Sequence, residues 1–111
     1  MTSHESAYAR FRRALDTGSL TMIRAAAAEL PQVSLSDALE VCWAIRHGEA
    51  ELYERACVRW LARFCAEAEA VTLPDVRAAA GALGDLGERQ GERPAITALN
   101  ALCARHGLRT L

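Results

Sequence analysis

Apolar residues recur every three or four positions along most of this chain, the spacing that places them on one face of an α-helix. Short polar or glycine-containing stretches separate six such segments. The segments cover residues of about 4–16, 19–30, 34–46, 49–68, 72–83 and 94–106. The pattern therefore predicts an all-α fold of about six helices.

Two of these segments begin with the same signal for a helix start. The sequence VSLSDALEVCWAI at 33–45 is similar to VTLPDVRAAAGAL at 71–83. Each opens with a hydroxyl residue that is followed three positions later by an aspartate, the pattern of an N-cap with a capping box. The pairs are Ser34 with Asp37 and Thr72 with Asp75. Both stretches therefore predict a capped helix.

A second internal similarity describes the turns between helices. Residues 14–30 and 44–60 both run from an apolar helix end through a polar residue and a glycine, Gly18 or Gly48, into an amphipathic helix. This is the chemistry of a tight helix–turn–helix connection. The helices are therefore predicted to form three antiparallel helical hairpins, arranged as a short α-solenoid or an orthogonal bundle.

The third hairpin is interrupted by a linker at about residues 84–93. This linker is rich in glycine and precedes Pro94, so we expect it to be the most mobile segment of the chain. At the end of the last helix, His106, Gly107 and Leu108 predict a C-terminal cap in which the leucine folds back.

The helix predicted at 34–46 has an unusual distribution of side chains. Apolar residues occupy almost all of its sides. A helix of this kind is expected at the centre of a protein, where several neighbours or a second chain cover it.

Composition sets the scale and the setting of the fold. The 111 residues suit a single domain, 1–111, and the low aromatic content of 5% suits closely packed helices with small side chains. A formal net charge of −1 gives no overall attraction to nucleic acid or to an anionic membrane surface. The chain has no apolar run of the roughly 18 residues that a membrane helix needs and no signal-like amino terminus. We therefore expect a cytoplasmic protein with no membrane contact.

The cysteines and histidines do not form a metal-binding pattern. Cys42, Cys57, Cys65 and Cys103 lie within helical segments and are predicted to be reduced thiols of the core. No C-x-x-C pair occurs, and two of the histidines precede a glycine at a predicted helix end, where an imidazole can cap carbonyl groups. We expect no metal and no cofactor.

The helix predicted at 49–68 carries the sharpest surface feature of the sequence. Charged residues follow one another at i,i+4 spacing along one side: Glu51, Arg55, Arg59, Arg63 and Glu67. Three guanidinium groups in a row could form a docking strip for an acidic partner. An ordinary solvated helix face explains the same pattern.

The opposite side of that helix concentrates the scarce aromatic residues. Tyr53, Trp60 and Phe64 share it at helical spacing, so the stripe is either core or an interface, including an interface between two copies of the chain. Trp43, on the apolar helix, is a further aromatic candidate. The candidate residues for partner contact are Arg55, Arg59, Arg63, Tyr53, Trp60 and Trp43.

Three stretches of the sequence carry a resemblance to other proteins. The capped VSLSDA helix, YERACVRWLARF and VTLPDVRAAAGAL look like a functionally uncharacterised type of small, all-helical protein from high-G+C bacteria. This resemblance implies no activity. The hairpin organisation also resembles that of HEAT and tetratricopeptide repeats, although the tetratricopeptide consensus is absent, so the likeness is a structural analogy.

The sequence contains no catalytic constellation. It has no phosphate-binding glycine loop, nucleophile elbow or paired carboxylates in an apolar setting, so we expect no enzyme. The leading hypothesis is a non-enzymatic protein–protein interaction module or adaptor, with self-association as a homodimer. The alternative is a small nucleic-acid-associated regulator that uses the arginine stripe with Arg10, Arg12 and Arg13. A small-molecule pocket lined by Trp43 or Trp60 is the third hypothesis.

Overall fold

The structure, a computed structural model, describes residues 5–111. Six α-helices make up most of these residues. They are α1 (Ala7–Asp16), α2 (Leu20–Ala27), α3 (Leu35–Ile45), α4 (Ala50–Glu67), α5 (Leu73–Leu86) and α6 (Glu92–Arg105). No strand occurs within the described residues, so the predicted all-α fold is confirmed. The predicted start of the first helix, at residue 4, lies outside them.

Hydroxyl side chains start most of these helices. Each accepts a hydrogen bond from the backbone N–H three residues later: Ser6, Ser19, Ser34 and Thr72. At Thr72 the capping box is complete, because Asp75 Oδ2 accepts the Thr72 N–H at 3.2 Å. At Ser34 only the hydroxyl takes part, since the Asp37 carboxylate binds arginines of other segments instead. The hydroxyl bond of the capping box predicted at Ser34 is therefore confirmed, and the predicted carboxylate bond is wrong.

Left-handed glycines close two of the turns. Gly18, with φ of 66°, connects α1 to α2, and Gly107, with φ of 68°, follows α6. After α6, the Leu108 N–H donates to the Cys103 carbonyl at 2.8 Å and the Gly107 N–H donates to the Ala104 carbonyl at 3.4 Å. These two bonds form a Schellman motif, which confirms the predicted C-terminal cap.

Half of the predicted linker at 84–93 is helical. Helix α5 continues through Gly84 to Leu86, and α6 begins at Glu92, which leaves only residues 87–91 between them. Leu86 is fully buried, so packing of this side chain outweighs the poor helix propensity of the glycine before it. The predicted linker is therefore shortened to a turn of five residues, 87–91, and its mobility stays a prediction.

The helices pack as pairs in chain order. Helix α1 lies against α2, α3 against α4, and α5 against α6, as three hairpins require. Helix α3 also contacts α1 and α2, and α4 contacts α5, so the second hairpin connects the other two. The molecule is elongated, with extents of 52 × 30 × 21 Å. The apolar helix α3 thus has neighbours on several sides, as its composition predicts.

The cysteines are free thiols with different exposure. Cys42, Cys57 and Cys103 are buried, but Cys65 is exposed on α4, so its predicted core position is wrong. Among residues 5–111, no group of three or more His, Cys, Asp or Glu side chains could hold a metal ion. No helix in this part of the chain has both the length and the apolar character needed to cross a membrane.

The C-terminal tail, residues 107–111, folds back onto the start of α3. The Arg109 guanidinium donates to the carboxylate of Asp37, which is only 4% exposed. Asp37 Oδ1 also accepts from the Tyr8 hydroxyl and from Arg12 Nη1, both at 3.2 Å. The buried Asp37 carboxylate therefore connects the C-terminal tail to α1 and α3.

Candidate binding groove between α2 and α4

An open groove, called here the α2–α4 groove, runs between these two helices with α3 beneath it. Its volume is about 290 Å³. Partly exposed small and aliphatic side chains form much of its lining: Leu20, Ala27, Ala38, Val41, Leu52 and Ala56. Ile23 and Trp60, each 1% exposed, close its base. The groove therefore presents apolar surface whose burial would favour association.

Four arginines line the same groove. Arg24 comes from α2, whereas Arg55, Arg59 and Arg63 come from α4 and are the stripe predicted from i,i+4 spacing. The fold thus places an arginine of the first hairpin opposite the arginines of the second. An apolar groove with guanidinium groups on both walls favours an amphiphilic, negatively charged occupant.

Two of the arginines already have partners. Arg63 Nε donates to Glu67 Oε2 at 2.6 Å, and Arg63 Nη2 donates to the Val33 carbonyl at 2.8 Å. The first of these bonds lowers the pKa of the Glu67 carboxyl. Arg55 Nη2 lies 3.4 Å from Glu51 Oε1 in a pair exposed to solvent. Arg63 therefore holds the segment before α3, whereas Arg55 is only weakly paired.

The other two arginines have free guanidinium groups. Arg24 and Arg59 are both exposed, and within residues 5–111 neither forms an ion pair or a side-chain hydrogen bond. They stand on opposite walls of the α2–α4 groove. They are therefore the two cations of this site that can accept an anion without losing an existing partner.

The arginines of α1 are in a different situation. All three form ion pairs with carboxylates: Arg10 with Glu29, Arg12 with Glu40, and Arg13 with Glu5. The sequence grouped these residues with the arginine stripe of α4 as candidates for nucleic-acid binding. The structure separates the two groups, because each α1 arginine has a carboxylate partner and Arg59 has none within residues 5–111.

Two of the predicted aromatic contacts belong to the core. The Trp60 indole donates to the Leu35 carbonyl at 2.9 Å and stacks on Phe64 with ring centroids 5.2 Å apart. The Tyr53 hydroxyl donates to the Leu83 carbonyl at 2.6 Å, and Tyr53 is 8% exposed. Both side chains have their polar atoms satisfied inside the protein. Both are therefore core residues of this chain, and their predicted contact with a partner stays a prediction.

Trp43 lies apart from the α2–α4 groove. It is partly exposed, and the Arg46 guanidinium carbon stands 3.5 Å from the centroid of its ring. It lines a separate cavity of about 440 Å³ with Arg12, Leu15 and Leu111. The contact predicted for Trp43 stays a prediction, at a different surface from that of the arginines.

Sequence reasoning missed the other wall of the groove. On α2, Leu20, Arg24 and Ala27 have the i,i+4,i+7 spacing of one helix face, so they could be recognised as neighbours. This spacing does not indicate that the face lies opposite α4. The approach of α2 to α4 depends on how two hairpins pack against α3.

The chemistry of the groove suits binding. Cys42 is the thiol that lines it, but this side chain is only 1% exposed. Hydrogen bonding to Cys57 and burial raise the pKa of Cys42, so it is a protonated thiol at neutral pH rather than a nucleophilic thiolate. The accessible groups are therefore aliphatic side chains and guanidinium groups.

Comparisons with protein-family models, with curated proteins and with solved structures found no significant match to this chain.

Proposed function

We propose that this chain is a non-enzymatic interaction module that binds an acidic segment of another protein in the α2–α4 groove. The observation that carries the proposal is an apolar groove flanked by two exposed guanidinium groups, Arg24 and Arg59, that have no carboxylate partner within residues 5–111. Burial of apolar surface favours association, and unpaired cations select negatively charged partners. A protein segment with apolar side chains flanked by carboxylates meets both requirements.

A nucleic acid is the less favoured partner. Phosphate binding needs several free cations along a continuous track. The Arg10, Arg12 and Arg13 side chains are paired with carboxylates, and Glu51 and Glu67 flank the α4 stripe. The aliphatic side chains that line the groove also offer no favourable contact to a charged phosphate backbone. A mobility-shift assay at low salt tests this alternative, and binding that weakens steeply with salt would favour it over a protein partner.

Self-association is proposed at another face. Val58 on α4 is 60% exposed and lines a second groove with Leu61 and Ala80. Side chains of both charge signs, including Arg89 and Glu54, surround this groove, as a self-complementary interface requires. In sedimentation velocity at several concentrations, we expect Val58→Glu to lower the dimer fraction. A wild-type protein that stays monomeric at all concentrations would contradict this part of the proposal.

The experiment for the leading proposal uses two charge-reversed variants. Arg24→Glu with Arg59→Glu changes the groove, and Arg77→Glu with Arg93→Glu makes the same change in net charge at exposed arginines elsewhere. Wild type and both variants are immobilised and exposed to a lysate of the organism that encodes the chain. Captured proteins are identified by mass spectrometry, and each candidate is then purified and titrated against the three proteins by calorimetry.

We expect a purified partner that binds wild type and the control variant with similar affinity and binds the groove variant at least about tenfold more weakly. Circular dichroism and melting temperature establish that all three proteins are folded. A partner that binds the groove variant as tightly as wild type would show that the groove is not the binding site.

A further inference from the structure

We propose that the occupant of the α2–α4 groove is an acidic, amphipathic α-helix of about three turns, an inference that rests on the proposed function and specifies the partner's chemistry. The helix would place a row of aliphatic side chains on the groove lining and carboxylates on both flanks of that row. The length of the groove, its lining and the positions of its charges each favour this occupant.

The length of the groove matches a short helix. On α4, its lining residues run from Leu52 to Arg63. At 1.5 Å per residue, this stretch is roughly 16 Å long, which corresponds to about three helical turns. A partner helix of that length presents apolar side chains at i, i+4 and i+7, and all three can lie along the groove.

The lining favours a helix over an extended peptide. The backbone of α2, α3 and α4 forms intrahelical hydrogen bonds, and no strand edge exists in the described part of the chain to pair with an extended segment. An extended peptide would place unpaired N–H and C=O groups on aliphatic side chains, which costs free energy for each group. A helix satisfies its own backbone groups and exposes only side chains.

The small side chains of the groove allow a helix to approach closely. Ala27 on α2, Ala38 on α3 and Ala56 on α4 each contribute to the lining and are partly exposed. Small residues on neighbouring helices leave a depression into which a ridge of larger side chains can pack. Leucine side chains of a partner helix would fill that depression and bury the apolar surface that Val41 and Leu20 expose.

The charges specify where the partner's carboxylates lie. Arg24 and Arg59 stand on opposite walls, so an occupant of the groove meets a cation on each flank. Arg55 lies one turn from Arg59 on α4 and is held only by an exposed pair with Glu51. Carboxylates separated by one turn on the partner helix would reach Arg55 and Arg59 together, and a carboxylate on its other flank would reach Arg24.

The test uses synthetic peptides and the intact chain. The probe is a fluorescent peptide of about 14 residues with Leu at i, i+4 and i+7, Glu on both flanks and a hydrocarbon staple on the outer face, because an unstapled peptide of this length is barely helical. The controls are a scrambled peptide of the same composition, a Glu→Gln peptide and a peptide with proline in its centre. Binding is measured by fluorescence anisotropy.

We expect the acidic helix to bind wild type and the Arg77→Glu/Arg93→Glu control within about twofold of each other. The Arg24→Glu/Arg59→Glu variant, the Glu→Gln peptide and the scrambled peptide should each weaken binding at least about tenfold. The affinity should fall as NaCl rises from about 0.05 to 0.3 M. A Glu→Lys peptide should prefer the groove variant to wild type, and damage to the fold could not produce that reversal.

Several outcomes would overturn the inference. They are equal binding of the scrambled or proline peptide, no loss with the groove variant, and displacement of the probe by single-stranded DNA or by a long-chain carboxylate at lower concentration than by unlabelled peptide. If no acidic helix binds but a purified protein partner still requires Arg24 and Arg59, the helical occupant is wrong and the proposed function stands. If that partner is also indifferent to Arg24 and Arg59, both proposals fail.

Discussion

Arg59 and Arg63 lie one turn apart on α4 and carry the same side chain, yet their surroundings give them different roles. The Arg63 side chain is 32% exposed and donates to both Glu67 and the Val33 carbonyl. Arg59 is exposed and has no such partner in the described part of the chain. Arg63 therefore contributes to folding, whereas Arg59 is available for binding.

Alanine at each position should separate these roles. We expect Arg63→Ala to lower the free energy of unfolding by about 1–2 kcal/mol, because the Val33 carbonyl loses a charged donor and the packed aliphatic stem is removed. Arg59→Ala should change that free energy by less than about 0.5 kcal/mol. Urea unfolding followed by circular dichroism measures both. Equal losses for the two variants would contradict the assignment.

Asp75 gives the protein a predictable response to acid. Its carboxylate accepts the Thr72 N–H, and it also faces Arg105 Nη2 at 3.1 Å and His106 Nε2 at 3.0 Å. The bond from the Thr72 backbone, followed by the bonds from the two basic side chains, lowers the pKa of Asp75 to about 2. A lowered pKa stabilises the folded chain above the ordinary value of 3.8, and that stabilisation is lost as the pH falls toward 2.

The variant Asp75→Asn tests this dependence. We expect wild type to be more stable than the variant at pH 5, and the difference to shrink as the pH falls from about 4 to 2. The free energy of unfolding in urea at each pH measures it. Asp16→Asn, at an exposed aspartate that forms no ion pair within residues 5–111, is the control. A difference between wild type and Asp75→Asn that is constant across this range would contradict the role of the ionised carboxylate.

Helix starts could be predicted from the sequence more accurately than helix ends. A start depends on local chemistry, so Ser34 and Thr72 mark their helices to within a residue. An end depends on the next residues of the chain and on tertiary packing. Helix α2 stops at Ala27 rather than residue 30. The Glu29 and Leu30 N–H groups donate to carbonyls three residues back instead of four, and Leu30 precedes Pro31, a position that disfavours the helical conformation. Burial of Leu86 extends α5, and the local sequence around this leucine does not predict that it is buried.

Glycine-to-alanine changes in two different elements should have opposite effects. At Gly107, φ is 68°, so an alanine there is strained even though nothing lies within 4 Å of its β-carbon. We expect Gly107→Ala to lower the free energy of unfolding by about 1–2 kcal/mol. Gly81 lies inside α5 with open space around an added β-carbon, so Gly81→Ala should raise the free energy of unfolding by about 0.5–1 kcal/mol. Thermal and urea unfolding measure both. The same sign for the two changes would contradict this explanation.

At the scale of the whole molecule, the important contacts join residues that are distant in sequence. The α4 side of the α2–α4 groove could be predicted from i,i+4 spacing, but Arg24 reaches this groove only through the packing of two hairpins on α3. Asp37 shows the same limit, because its local pattern predicts a capping box while its carboxylate binds Arg12 and Arg109. A pattern within one helix cannot indicate which other segment will meet it.

The buried Asp37 should couple the C-terminal tail to α1 and α3. Arg109→Met removes one of the charged partners of Asp37, and we expect the free energy of unfolding in urea to fall by about 1–2 kcal/mol. The loss should be smaller than for a buried carboxylate with a single arginine partner, because Arg12 remains. In an Asp37→Asn background the same substitution should cost about 1 kcal/mol less, which is the coupling energy of the pair. Arg93→Met, at an exposed arginine of α6, is the control.

Hydrogen exchange should locate the effect of Arg109→Met within the molecule. We expect faster exchange in α1 and at the start of α3, since the tail connects to these elements through Asp37, Arg12 and Tyr8. Exchange in the α5–α6 hairpin should change less, because those helices are held by their own packing. Uniformly faster exchange, together with no coupling in the double-mutant cycle, would show that the tail does not act as a specific connection between the first and last parts of the chain.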